Sequence, residues 1–184
     1  FIDPASAVLG AALLLHNPPL LDILPMYIVL MLVSPWLLRR GLQHGWRGVL
    51  AVSGLLWLGQ QWGLGQWLYD EVVALTGLPI PYKDMGAFHW LAWQMLWVVG
   101  LWLGARQAPL PRIPLWVLVP ASLYALGMLL WRHMAGQDPL PWLPAVGMLL
   151  DKWSLGPMRV LNFASVFLVL VSAGPWLVRV MPRP

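Results

Sequence analysis

The chain has no cysteine. Disulfides, thiolate metal sites and cysteine nucleophiles are therefore all excluded. Charge is nearly as scarce, with Asp, Glu, Lys and Arg making 10% of the 184 residues. Soluble domains carry about 25%, so a water-facing surface cannot be built from this stock. There is no glycine-rich phosphate loop and no G-x-S-x-G elbow. Four scattered histidines have no metal-ligand spacing, so no metal site is expected. The first residue is Phe1, and no signal-peptide pattern precedes it. The chain is expected to be a processed product or part of something longer.

What is present is oil. The chain is 60% hydrophobic, with mean hydropathy +0.71 and 14 tryptophans. Tryptophan favours the membrane interface, where one edge of the indole is apolar and the other wet. The run Leu20 to Arg40, LLDILPMYIVLMLVSPWLLRR, sets the reading. It has about the 20 residues that a helix needs to cross a bilayer, and Arg39 and Arg40 end it as a span ends on the cytoplasmic side. The net charge of +4 falls in short clusters between apolar runs. Such clusters are topology signals or contacts for anionic lipid, not a nucleic-acid surface.

The sequence predicts an all-α polytopic transmembrane bundle of about five spans, with one or two short interfacial or re-entrant helices. Residues 1–184 are read as a single transmembrane domain without repeat or linker. Asp3 to Leu15 is apolar but too short to cross, and His16-Asn17-Pro18-Pro19 breaks it. The first span ends near Leu38, with Asp22 as N-cap and Pro25 in its first turn. The second covers about Val49 to Leu68 and carries Gln60 and Gln61. The third covers Phe88 to Ala105. The fourth covers Ile113 to Trp131, with Pro120 as an expected kink. Trp142 to Leu150 is a half-helix or surface helix, and the last span covers Val160 to Val180.

Charge orients these crossings. If the first runs inward, the inner side holds Arg39, Arg40, Arg47, Arg106, Arg112, Arg179 and Arg183. The outer side holds Lys83, Arg132, Lys152, Arg159 and all seven acidic residues. That is a positive-inside bias. It predicts an N-terminus outside and a cytoplasmic C-terminus.

Asp22 reads either as a helix cap or as a carboxylate facing an acceptor cavity. Tyr27 is an interfacial anchor or a hydrogen-bond donor in a pocket. Gln94 lies inside a span, where a polar group must find a partner. It is expected to bond another helix, with Gln60 or Gln61 as candidates, or to touch substrate. Trp90, Trp93 and Trp97 share one helix face, for packing or as a sugar platform. Gly100 and Gly104 have the spacing for close helix approach. Asp151, Lys152 and Arg159 flank the last span. Arg159 sits in a first turn, where the macrodipole disfavours a cation, so a carboxylate such as Asp151 or Asp22, or an anionic substrate, is expected beside it. His133 and Asp138 form H-x4-D, used by some lipid acyltransferases, but on the wrong side for those enzymes.

Three blocks stand out: Leu21-Asp22-Ile23-Leu24-Pro25-Met26-Tyr27-Ile28-Val29-Leu30, then Ala92-Trp93-Gln94 followed by Gly100 and Gly104, and Leu150-Asp151-Lys152 with Leu155-Gly156-Pro157 and Arg159. Together they resemble the bacterial OpgC family. The opening Phe1-Ile2-Asp3-Pro4-Ala5 fits the stretch before the first block.

The resemblance implies an acyltransferase-3-like enzyme of the bacterial inner membrane. It implies transfer of succinyl groups from cytoplasmic succinyl-CoA to osmoregulated periplasmic glucans, with no bound cofactor. The expected partners are the lipid bilayer, the glucan acceptor, the acyl-CoA donor and an N-terminal half. The family's Arg-Gly segment and His-bearing helix belong to that half and have no counterpart here. The catalytic residues therefore stay unknown. Asp22, Tyr27, Gln94, Asp151, Lys152 and Arg159 are candidates for substrate binding. The alternative is a non-catalytic scaffold or conduit that docks with a catalytic partner.

Overall fold

The computed structural model describes residues 23–77, 88–106, 110–135 and 144–180. Asp22 and the apolar stretch Asp3 to Leu15 lie outside them, as do Lys83, Asp84 and Asp138. Within the described residues the chain is all-α, with seven helices and no strand. These are α1 (Ile23–His44), α2 (Trp46–Gln61), α3 (Leu64–Thr76), α4 (Trp90–Gly104), α5 (Leu115–Ala135), α6 (Pro144–Leu150) and α7 (Pro157–Val180). The chain divides into two compact units, Phe1–Gln107 and Ala108–Pro184.

In the first unit, α2 packs on α4, α1 packs on both, and α3 folds against α2. The expected end of the first span near Leu38 falls short, because α1 continues to His44. Ser34-Pro35 does not stop it either. Pro35 removes one backbone donor, but the Ser34 hydroxyl donates to the Leu30 carbonyl at 2.6 Å and so holds the turn beside it.

The second span is not one helix. Gly63 takes a left-handed φ of 85°, which ends α2 at Gln61 and starts α3 at Leu64. The turn is closed by Trp62 N–H on the Gly59 carbonyl (3.0 Å) and Gly63 N–H on the Gln60 carbonyl (3.2 Å). A glycine adopts this conformation without the Cβ clash that any L side chain meets. An apolar pattern running through Leu64 and Leu68 conceals the break.

In the second unit, α5 and the short α6 both pack on α7. The Tyr124 hydroxyl on α5 donates to the Met158 carbonyl in the first turn of α7, at 3.0 Å. Helix α5 runs through Pro120. The expected half-helix is observed as α6, seven residues long.

Among the described residues, two helices are long and apolar enough to cross a membrane: Leu115–Met134 and Pro157–Gly174, each with mean hydropathy 1.5 and only 6% of its residues buried. A soluble core helix of that hydropathy hides its apolar surface, and these two do not. Helix α4 is as oily but has 15 residues. Buried side chains are few, with Met26, Ala92 and Val98 at the centre of the first unit and Leu150 and Leu155 in the second. Leucine, valine and tryptophan cover much of the outside.

Candidate functional site

Asp151 and Arg159 are brought together by the turn from α6 to α7, and Lys152 lies on the same turn. The Asp151 carboxylate accepts two bonds from Ser154, one from its backbone N–H at 2.6 Å and one from its hydroxyl at 2.5 Å. The Asp151 carbonyl accepts the Gly156 N–H at 2.9 Å. The Gly156 carbonyl then takes the N–H groups of Arg159 and Val160, so α7 begins with Pro157 in the first helical position, where its missing donor costs nothing.

Two backbone positions make this turn unusual. Leu155 has a φ of 52°, and its side chain is completely buried. A non-glycine residue there is strained by about 1–3 kcal/mol, and burial of the leucine offsets it. Gly156 passes so close to α6 that a Cβ would collide with the Leu149 carbonyl. No periodicity marks Leu155; only its place in the Leu-Gly-Pro block does.

Arg159 lies in the first turn of α7, as expected. Its Nε donates to the carbonyl of Leu150, one of the acceptors that α6 leaves unpaired at its end. Its charged neighbours are Asp151, which attracts it, and Arg132, which repels it. The partner needed by a cation in this place is thus a carbonyl, with Asp151 adding attraction. Lys152 turns outward, with Nζ 3.9 Å from the centre of the Trp153 ring. Such a pair is a cation–π contact.

Tyr27 and Gln94 belong to the first unit. The Gln94 amide donates to the Ser53 carbonyl (2.8 Å) and to the Leu91 carbonyl (3.0 Å), and it accepts the Ser53 hydroxyl at 2.8 Å. The expected partners Gln60 and Gln61 are not used. Gln61 returns instead to the Trp57 carbonyl of its own helix. The sequence does not single out Ser53, because a serine in an apolar run carries no signal of its own. It is 3% exposed, and that burial makes it the partner.

Of the tryptophan stripe, Trp93 meets Phe88 edge-on at 5.2 Å, and Trp97 meets Tyr27 edge-on at 5.8 Å. The Trp97 indole also donates to the Ser34 hydroxyl at 2.8 Å. These rings pack. Gly100 and Gly104 do not bring helices close, since nothing lies within 4 Å of a Cβ placed on either. They line a cavity of about 660 Å³ between α1 and α4, together with Tyr27 and Leu38. Among the described residues no group of three or more His, Asp or Glu could hold a metal.

An all-helical chain with unburied apolar helices of spanning length fits a membrane protein. The chain matches the family model described as OpgC protein over residues 1–182, and it belongs to that family. No curated protein and no solved structure matches it.

Proposed function

We propose that this chain is a membrane-embedded O-acyltransferase, or part of one, that transfers succinyl groups to osmoregulated periplasmic glucans. Family membership over residues 1–182 is the observation that carries the reading. The chain would cross the inner membrane about five times, with the first described helix starting at the periplasmic face and α7 ending in the cytoplasm. The positive-inside distribution of arginine supports that topology.

The donor would be succinyl-CoA. A base outside the candidate residues takes the proton from a glucan hydroxyl, whose oxygen attacks the thioester carbonyl through an oxyanion. The ester forms as the carbon–sulfur bond breaks, and the coenzyme leaves as its thiol. Arg159 would hold the distal carboxylate of the succinyl group. Its Nε is fixed on Leu150, which aims the remaining guanidinium edge. Lys152 and Asp22 would stand on the same periplasmic side.

A second reading, a scaffold that docks with a catalytic partner, draws support from one observation. Ser154 bonds to Asp151 and Arg159 to Leu150, all within the one turn, which is what a purely structural motif would do.

Arg159→Ala in the full-length protein is the test. Under the enzyme reading, glucan-bound succinate disappears while membrane insertion is retained. Unchanged succinate content removes Arg159 from the site and favours the scaffold.

A further inference from the structure

The cavity between α1 and α4 is a groove with one basic end. Tyr27 and Leu30 line it near the start of α1 and Leu38 further along, while Trp97, Gly100 and Gly104 form the facing wall. The two glycines remove the bulk that would otherwise fill it. Leu38 is followed at once by Arg39 and Arg40, and the groove-lining Ala105 by Arg106. All three arginines are exposed, and Arg106 lies 5.2 Å from the centre of the Trp102 ring. No acidic residue occurs from Ile23 to Tyr69 or from Phe88 to Gln107. The basic end therefore has no internal counter-charge from these segments.

From Met26 to Leu38 the groove follows α1 for about 18 Å at the rise of an α-helix. That is close to the depth of one leaflet, half of a hydrocarbon core of about 30 Å. Resting on the membrane reading above, we propose that the groove seats an acyl chain of an anionic phospholipid, with its phosphate at Arg39, Arg40 and Arg106. Charge complementarity selects an acidic headgroup, and the apolar wall selects a hydrocarbon tail. The pantetheine arm of a coenzyme fits less well, because its amides would lose water against leucine, tryptophan and bare glycine.

The test is native mass spectrometry of the full-length protein in detergent, titrated with phosphatidylglycerol or phosphatidylcholine. Phosphatidylglycerol should be retained about tenfold more, given the attraction of juxtamembrane arginines for acidic lipid. Arg39→Gln, Arg40→Gln and Arg106→Gln combined should bring the two lipids level. Gly100→Leu should fill the groove and release both lipids. Its circular dichroism should not change, since leucine is the better helix former and its Cβ meets nothing. Gly104→Leu should behave alike. Equal retention of both lipids by the unaltered protein overturns the proposal, as does full retention in both leucine variants. Displacement of phosphatidylglycerol by succinyl-CoA overturns it too, by giving the groove to the acyl donor. A protein soluble without detergent would instead remove the membrane reading, and this proposal with it.

Discussion

Gln94 holds Ser53 at both its backbone and its side chain. The amide nitrogen donates to the Ser53 carbonyl at 2.8 Å, and the amide oxygen accepts the Ser53 hydroxyl at the same distance. This joins α2 to α4 in the middle of otherwise apolar surfaces. Both donor hydrogens of the amide are engaged, the second by Leu91, so the residue works as a clamp between helices.

Breaking the clamp should loosen the first unit. Gln94→Leu is expected to cost about 1–2 kcal/mol, in line with interhelical hydrogen bonds in apolar surroundings. Ser53→Ala should cost less, because the serine carbonyl remains as an acceptor. Unfolding of the single and double variants in detergent gives the coupling energy. Additive losses would mean that the two side chains do not support each other.

Two glycines of the second unit should respond oppositely to the same change. Gly156→Ala drives a methyl group into the Leu149 carbonyl and should cost about 1–3 kcal/mol or more, as overpacking does. Gly127→Ala meets no atom within 4 Å and sits inside α5, where alanine is favoured by up to about 1 kcal/mol. Thermal unfolding of both variants would show it. Equal stability of the two would contradict the close approach of the turn to α6.

Asp151 separates a structural from a chemical role. Asp151→Asn keeps an oxygen to accept from Ser154 and should hold most of the stability, whereas Asp151→Ala should lose about 1–2 kcal/mol. Glucan ester content is then compared with stability. If the Asn variant is stable but makes no ester, the negative charge itself is needed. If activity simply follows stability, Asp151 serves the turn alone.

Much of the helical framework could be read from the chain. The half-helix before Leu150 follows from an apolar run, Trp142 to Leu150, that is too short to cross, and Arg159 falls in the first turn of α7 just after Gly156-Pro157. The break at Gly63 was hidden, since apolar residues continue on both sides of it and only a φ of 85° reveals the turn. Gly100 and Gly104 show the same limit. Their spacing is that of a close helix contact, yet they border an open groove.

By itself the sequence determined that this protein is helical and oily, with its charges gathered between apolar runs. Those properties are local: a helix satisfies its own backbone, and hydropathy adds along the chain. The tertiary structure alone decided that Gln94 meets Ser53, that Arg159 caps Leu150, and that two glycines stay uncovered. Each of those depends on where a distant segment comes to rest, and an apolar surface without directional bonds leaves no mark of that in the chain.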